Sequence, residues 1–329
     1  MERRDFIKAA AVTGVAVTTN LLGEAQTASS EMQYRQLGRT GEKVSAIGVG
    51  GYHIGVQSDP AESVRLIRTA IDRGINFMDN SWDYNDGASE ERMGDALKDG
   101  YRHKVLLMTK IDGRSKDSFN SQLEQSLKRL KVDSIDLMQF HEIIRMEDPD
   151  RIFAAGGAME GALAAKQAGK IRYIGFTGHK DPAIHLRMFE VAKQHGVHFD
   201  TVQMPINVMD AHFRSFAKNV IPVAQAEGTG VLAMKVFSGR SILQSKTVTA
   251  MEALHYALAQ PVSVVITGMD SAQILDQAFT AVKTFKPFSE SEMATLLAKT
   301  REAAMSGVYE PFKTTARVDG TARVPAWLG

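Results

Sequence analysis

The chain of 329 residues contains no cysteine. This absence excludes disulfide bonds, thiolate ligands for a metal ion and a cysteine nucleophile. A chain without thiols suits an oxidising compartment, although the absence does not by itself select one. Any chemistry that the protein performs therefore depends on other side chains.

An excess of charge of either sign is also missing, because 39 basic and 38 acidic residues give a net charge of +1. A nucleic-acid-binding protein usually carries a basic face, so no nucleic-acid partner is expected. Hydrophobic residues make up 44% of the chain, which is enough for one large core. Chains of this length commonly form a single α/β barrel domain.

Long hydrophobic runs are absent as well. The mild apolar stretch 9–22 is too short for a membrane-spanning helix, which needs about 20 apolar residues. It follows Arg3-Arg4-Asp5-Phe6-Ile7-Lys8, which resembles the twin-arginine export motif. A basic start, an apolar stretch and a small-residue exit predict a cleavable signal peptide at residues 1–30. We expect export to the periplasm by the twin-arginine machinery; the alternative is an amphipathic leader on a cytoplasmic protein.

Residues 31–329 alternate short apolar runs with helical patterns. Asp59-Pro60 and Asp181-Pro182 are typical helix starts, because the aspartate caps the helix and proline fits its first turn. Parallel strands that are buried on both faces read as apolar runs, and eight runs occur, at 46–51, 75–79, 104–109, 134–140, 171–177, 201–205, 230–234 and 262–267. This order predicts one α/β domain, a (β/α)8 TIM barrel with a C-terminal tail, rather than an open doubly wound sheet.

The active site of such a barrel lies at the C-terminal ends of its strands. Asp79 ends the second predicted strand and Tyr84 follows it, whereas Lys110 and His141 follow the third and fourth strands. Each residue alone has a structural explanation, as a turn, packing or surface group. Together, on three consecutive strand ends, they predict a catalytic site.

Reduction of a ketone or an aldehyde would use all four residue types. The reaction needs a hydride at carbon and a proton at oxygen, and a tyrosine with a pKa of about 10 is a poor acid unless a nearby ammonium lowers that pKa. A carboxylate would hold the ammonium in place. An imidazole would stabilise the charge that develops on the oxygen, and no metal is required.

Several segments of the chain resemble the aldo-keto reductase family. They include Gly74-Ile75-Asn76-Phe77-Met78-Asp79 with Tyr84, the region 127–141 that ends in His141, and Gly169-Lys170-Ile171-Arg172-Tyr173-Ile174-Gly175. The resemblance extends over about residues 32–285. It implies an NAD(P)H-dependent reductase of a small carbonyl substrate in which Asp79, Tyr84, Lys110 and His141 are catalytic and Tyr84 is the general acid.

The resemblance also implies which residues hold the nicotinamide. Thr177 retains a hydroxyl where the family usually has Ser-Asn, but the next residue, Gly178, lacks the amide. Gln203 matches the family glutamine at the same ring. Lys235 occupies the place where the family often stacks a tyrosine, so ring stacking is in doubt.

The helix after the eighth strand begins near Gly268 and Ser271, where backbone N–H groups suit a phosphate. An ordinary capped helix start is the alternative. Gly51, at the end of the first strand, completes the predicted cofactor-binding set. The family frequently places an arginine and an asparagine farther along this helix, where Ile274 and Ala278 stand here. The missing arginine weakens the support for a 2′-phosphate, although NADP(H) stays the expected cofactor over NAD(H).

His53 and Trp82 lie near the predicted site and are assigned to the substrate pocket, with loop packing as the alternative for His53. The tail 309–329 either closes the pocket or packs on the barrel exterior. Two other functions stay open: a cofactor-binding sensor or partner subunit with little turnover, and a barrel glycosidase. The glycosidase is disfavoured because Asp79 is the one strand-end acid in the set.

Overall fold

The computed structural model describes residues 32–329, and its main feature is a closed barrel of eight parallel strands. A short antiparallel hairpin precedes the barrel. The strands are β1 (Tyr34–Gln36), β2 (Lys43–Ser45), β3 (Ile47–Gly50), β4 (Phe77–Asp79), β5 (Leu106–Ile111), β6 (Ile135–Phe140), β7 (Ile171–Thr177), β8 (Thr201–Pro205), β9 (Gly230–Met234) and β10 (Val264–Gly268). Strand β10 pairs with β3 and so closes the ring β3 to β10. The predicted (β/α)8 barrel is confirmed.

Helices connect the strands and surround the barrel. Asp59 accepts a hydrogen bond from the N–H of Ala61, and Asp181 from that of Ala183, so both predicted caps are confirmed. The helices are α1 (Tyr52–Gly55), α2 (Pro60–Asp72), α3 (Ala88–Ala96), α4 (Lys116–Leu130), α5 (Asp148–Phe153), α6 (Ala158–Gln167), α7 (Pro182–Gln194), α8 (Phe216–Asn219), α9 (Ile221–Ala226), α10 (Ser241–Gln244), α11 (Ala250–Ala259), α12 (Ala272–Thr284), α13 (Glu290–Ala304), α14 (Pro311–Thr314) and α15 (Gly320–Arg323).

The hairpin β1–β2 covers the N-terminal end of the barrel. Leu37 and Val44 are fully buried there in one apolar cluster with residues from the strand starts, including Leu106. Gly38 has φ +52°, and a Cβ atom at this position would lie 2.4 Å from the backbone nitrogen of Gly230. Only glycine fits so close to the start of β9. With this end closed, the strand C-termini form the end that is open to chemistry.

Two surface cavities of about 580 and 620 Å³ also lie toward the N-terminal end of the barrel, lined by residues of the hairpin and of the strand starts. They contain none of the predicted site residues. Within residues 32–329, no helix has the length and apolar character required to cross a bilayer. The predicted signal peptide, residues 1–30, lies outside the described part of the chain.

Candidate active site

Asp79, Lys110 and Tyr84 meet at the C-terminal ends of β4 and β5. The Nζ atom of Lys110 donates hydrogen bonds to Oδ1 of Asp79 at 2.5 Å and to the carbonyl oxygen of Asn80 at 2.6 Å. Its third neighbour is the hydroxyl of Tyr84 at 3.3 Å. Asp79 and Lys110 are only 4% and 1% exposed, so a buried ion pair stands directly beside the phenol.

The backbone after β4 turns sharply and places Tyr84 over the barrel. Asn85 and Asp86, which follow Tyr84, adopt left-handed conformations with φ 53° and 54°. Both residue types tolerate this region better than most others. The turn therefore fixes the direction of the phenol.

The pKa of Tyr84 lies well above its ordinary value. Burial is the largest cause, and the carboxylate of Asp79 and three further carboxylates add to it. Among the described residues the net shift is opposite to the one expected from Lys110, because burial and negative charge outweigh the lowering effect of one ammonium. Tyr84 consequently holds its proton at neutral pH.

His141 follows β6 directly, and its ring packs edge-on to that of Tyr84 with centroids 5.8 Å apart. Three oxygen atoms surround its Nδ1: Oδ1 of Asp112 at 3.0 Å, Oδ1 of Asp83 at 3.2 Å and Oγ of Ser81 at 3.2 Å. Burial alone would lower the pKa of His141, but the two carboxylates raise that pKa to about 10. The four predicted catalytic residues thus share one site, and the histidine is a cation in it.

The sequence interpretation missed three acidic residues at this end of the barrel, Asp83, Asp112 and Glu142. The statement that Asp79 is the one acid of the set is therefore wrong. The positions contained a clue, because Asp112 lies two residues after Lys110 and Glu142 directly follows His141. Among the described residues these three acids do not form a free carboxylate pair for glycoside hydrolysis, since His141 and backbone N–H groups engage them.

Asp83, Asp112 and His141 each place one possible ligand atom within 4.8 Å of the other two. A cluster with this spacing was not expected from the sequence. Nδ1 of the histidine lies at hydrogen-bond distance from both carboxylates, and their charge keeps this nitrogen protonated. A shared proton accounts for the cluster, and the absence of a metal cofactor stays a prediction.

Thr177 and Gln203 lie side by side, because they pair across the adjacent strands β7 and β8. The Oε1 atom of Gln203 is buried and has no hydrogen-bond partner within residues 32–329. Within the part of the chain that the structure describes, the hydroxyl of Thr177 has only the sulfur of Met234 as a partner, at 3.9 Å. A buried amide oxygen without a partner is costly, and the carboxamide of a nicotinamide would supply the missing donor. These residues fit the predicted cofactor.

Gly178 departs from the family pattern for a steric reason. A Cβ atom at this position would lie 2.2 Å from the carbonyl oxygen of Ile143 and 2.8 Å from the ring of His185. No side chain fits there without a backbone movement. The amide that the family places at this position is therefore excluded by the loop that follows β6.

The loop after β9 contains several residues in left-handed conformations, among them Lys235, Ser238 and Arg240 with φ 56°, 49° and 76°. The Oγ atom of Ser238 is buried without a partner in the described chain. The Nζ atom of Lys235 lies 5.4 Å from the centre of the Phe312 ring, and burial lowers the pKa of this lysine. A loop of this kind after the seventh barrel strand frequently binds phosphate.

Ser271 caps α12 by accepting a hydrogen bond from the N–H of Ile274 at 3.3 Å. The ordinary cap predicted as the alternative is thus present, and the phosphate site stays a prediction. Ile274 and Ala278 lie on α12 as half-buried and buried apolar residues. The carbonyl oxygen of Gly51 accepts from the hydroxyl of Ser89, and Gly268 packs against the ring of His53.

His53 and Trp82 both lie at the catalytic end, in the segments after β3 and β4. Tyr52 separates His53 from Tyr84, with ring centroids 5.7 and 5.5 Å from its own. Trp82 packs edge-to-face against Trp327 of the tail at 5.7 Å. Their assignment to a substrate pocket stays a prediction.

The C-terminal tail lies across the strand C-termini. Glu142, after β6, accepts hydrogen bonds from the backbone N–H groups of Gly320 at 2.8 Å and Thr321 at 2.7 Å. His179, after β7, pairs with Asp319 at 2.9 Å. Of the two placements that the sequence left open, the structure has the tail over the catalytic end.

Comparison with known proteins agrees with this geometry. The model of the aldo/keto reductase family matches residues 46–252. The chain is 30% identical over 228 residues to the uncharacterized oxidoreductase YrpG of Bacillus subtilis, covering 63% of this chain and 67% of YrpG. It is 32% identical over 209 residues to the aldo-keto reductase YhdN of the same organism, covering 59% of each chain.

The fold is shared with the holo form of the aldo-keto reductase AKR11C1 from Bacillus halodurans. The TM-score is 0.69 at 24% sequence identity, over 82% of this chain and 96% of that one. The family model covers more than half of the chain, and it includes Asp79, Tyr84, Lys110 and His141. The chain therefore belongs to the aldo/keto reductase family of NAD(P)-dependent oxidoreductases.

Proposed function

We propose that this protein reduces an aldehyde or ketone to an alcohol with NAD(P)H, and that Tyr84 donates the proton. One observation carries the proposal: the buried ammonium of Lys110 contacts both the carboxylate of Asp79 and the hydroxyl of Tyr84. This arrangement places a proton donor and a fixed positive charge at the barrel end where a carbonyl oxygen would bind.

Some side chains of the site take part in proton transfer, and others orient the cofactor. Tyr84 carries its proton at neutral pH, and because its pKa is raised, release of that proton depends on the positive charges beside it. As negative charge develops on the carbonyl oxygen, the positive charges of Lys110 and His141 stabilise it and favour transfer of the phenolic proton. Gln203 and Thr177 would hold the carboxamide of the nicotinamide, which would supply the hydride.

We propose NADP(H) as the preferred cofactor. The loop after β9 supplies an exposed cation, Arg240, beside Asp270, and Lys235 at the start of the same loop adds a second, buried amine. These side chains support binding of phosphate groups although Ile274 occupies the usual place of an arginine. Calorimetric titration with NADPH and then NADH tests this choice, and tighter binding of NADH would contradict it.

Replacement of Tyr84 by phenylalanine tests the reaction. We expect Tyr84→Phe to lose at least about 10²-fold in aldehyde reduction, the usual scale of general acid catalysis, while NADPH binding stays nearly unchanged. Tyr34→Phe is the matched control, because the hydroxyl of Tyr34 bonds the carbonyl of Gly74 near the opposite end of the barrel. If Tyr84→Phe keeps most of the activity, the proposed acid is wrong.

A second function, a cofactor-binding sensor or partner subunit with little turnover, is favoured by one observation. Gly178 removes a contact to the cofactor that the family normally makes, and Ile143 prevents its return. Steady-state assays with a panel of aldehydes separate the two functions. Tight NADPH binding without turnover would favour the sensor and contradict the reductase.

We also propose that the protein is exported by the twin-arginine route to the periplasm. The proposal is supported by Arg3-Arg4 ahead of the apolar stretch 9–22. This route carries folded proteins, so a soluble cofactor can be loaded before export.

A further inference from the structure

The Nδ1 atom of His141 faces oxygen atoms only. Asp112 and Asp83 approach it from the loops after β5 and β4, at 3.0 and 3.2 Å. The third oxygen belongs to Ser81, whose hydroxyl already donates its hydrogen to Oδ1 of Asp83 at 2.5 Å. Burial raises the pKa of Asp112, and the charge of His141 opposes that shift. With the hydrogen of Ser81 committed to Asp83, Nδ1 is the atom that donates to the two carboxyl oxygens.

The carboxylate of Asp112 depends on this histidine. Asp112 is fully buried, and its second oxygen, Oδ2, has no hydrogen-bond partner in the described chain. A buried carboxylate needs a compensating positive charge. The two other nearby cations are already paired, Lys110 with Asp79 and Arg114 with Asp148. The positive charge of His141 is therefore the compensation available to Asp112.

The remaining charged groups around His141 are engaged elsewhere. Glu142 accepts two backbone N–H groups of the tail. Asp319 of the tail pairs with His179 and Lys180. The hydroxyl of Tyr84 contacts Lys110. Two carboxylates, Asp83 and Asp112, thus remain to act on His141, and they raise its pKa to about 10 against the effect of burial.

The opposite nitrogen of the ring is free. Nε2 of His141 makes no hydrogen bond to any other group in residues 32–329, and the ring stands edge-on to Tyr84. We propose that Asp83 and Asp112 are positioning residues that hold His141 as an imidazolium, so that its Nε2–H donates a charge-assisted hydrogen bond to the carbonyl oxygen of the substrate. The role in catalysis rests on the proposed reductase function, whereas the charge of His141 does not.

Nitrogen NMR of the full chain labelled in histidine measures the charge directly, with His141→Asn used to assign the signal. In the unmodified protein we expect His141 to stay protonated from pH 5 to pH 9. In the double variant Asp83→Asn, Asp112→Asn its midpoint should fall by at least about three pH units, to the ordinary value near 6.5 or lower. Titration of the unmodified protein near pH 6–7 would overturn the proposal.

Steady-state kinetics test whether the positive charge of His141 contributes to the reaction. At pH 8 we expect the double variant to lose about 10- to 100-fold in kcat, with little change in the KM for aldehyde, and to recover the rate at a pH below the midpoint that NMR gives for His141 in this variant, where the ring is protonated again. A purely structural defect would not be rescued by acid, so a loss that is equal at both pH values contradicts the proposal. Asp150→Asn, at the exposed partner of Arg187, is the control and should behave like the unmodified protein.

Two cases need a separate test: a double variant that does not fold, and an unmodified protein that reduces no aldehyde. If the double variant does not fold, the single variant Asp83→Asn is measured in the same way, and its His141 midpoint should fall by a smaller amount; an unchanged midpoint contradicts the proposal. If the unmodified protein reduces no aldehyde, the reductase function fails, while NMR still decides whether the two aspartates hold the charge.

Discussion

Gly178 shows how one residue constrains the cofactor site. Its Cα lies so close to the carbonyl of Ile143 that a Cβ would approach the oxygen to 2.2 Å. We expect Gly178→Asn to destabilise the protein by about 2 kcal/mol or more, since overpacking against backbone has no cheap relief. It should therefore fail to improve NADPH binding. Urea denaturation measures the first effect and calorimetry the second.

The control for this prediction is Gly156→Asn, at an open position with φ +71° where nothing lies within 4 Å of a Cβ. Asparagine tolerates this backbone region, so the expected cost is below about 1 kcal/mol. Equal destabilisation by both substitutions would contradict the steric explanation for Gly178.

Gln203 gives a second prediction at the scale of the residue. Its buried, unpartnered Oε1 would accept from the nicotinamide carboxamide. Loss of one such bond corresponds to about 1–1.5 kcal/mol, so Gln203→Leu should raise the Kd for NADPH about tenfold. Gln139→Leu is the matched control, because Gln139 is also buried with a free Oε1 but bonds Thr201 at the start of β8. An equal effect of both changes would count against the assignment.

At the scale of the element, the tail is attached through a buried charge network. Lys313 of α14 donates to Asp210 at 2.7 Å and to Glu310 at 3.0 Å, and Asn207 donates to the other oxygen of Glu310. Two carboxylates therefore share one ammonium in a site that water does not reach. Burial raises the pKa of Glu310 to about 7, although Lys313 opposes the shift.

The attachment of the tail should weaken with alkali. Because the pKa of Glu310 in the folded protein lies above its ordinary value, proton binding stabilises the fold below about pH 4.5, and this stabilisation is lost as pH rises through 7. Glu310→Gln keeps the protonated shape. We expect it to stabilise the protein relative to the unmodified chain at pH 8.5, by up to about 3 kcal/mol, and much less at pH 5.

Urea denaturation at both pH values measures this difference. Glu290→Gln, at the exposed start of α13, is the control and should be neutral at each pH. A stability difference for Glu310→Gln that does not change between pH 5 and pH 8.5 would show that the carboxyl does not titrate as inferred.

The elements also show what the sequence could predict. All eight barrel strands lie within about two residues of the predicted runs, because strands buried on both faces leave continuous apolar segments. The hairpin β1–β2 was not predicted, since its strands have three residues each and are stabilised by packing of Leu37 and Val44 on the barrel. Contacts between segments distant in sequence have no local pattern.

The candidate site was likewise predictable only in part. The four proposed catalytic residues were predictable because each lies at or shortly after the end of a strand, and this fold has a known catalytic end. They are Asp79, Tyr84, Lys110 and His141. The pKa of Tyr84 could not be predicted. It depends on burial of the phenol and on nearby carboxylates such as Asp83, Asp112 and Glu142, whose distances from the phenol are set only in the folded chain.

At the scale of the whole molecule, the ring of eight strands and the tail over it lie within residues 32–329. We expect a mature chain that begins near residue 26 or 29 in the periplasmic fraction. Replacement of Arg3 and Arg4 by lysine should retain the full-length protein in the cytoplasm. N-terminal sequencing of both fractions measures this, and a mature chain from the lysine variant would contradict twin-arginine export.

The chain has two tryptophans, and they pack against each other where the tail meets the loop after β4. Trp82 and Trp327 are thus an optical reporter that needs no label. Their edge-to-face contact couples the two indole transitions, so the near-ultraviolet circular dichroism and the intrinsic emission of the protein both register the position of the tail. The motion of that one segment, during cofactor or substrate binding, is readable in real time from the unmodified chain.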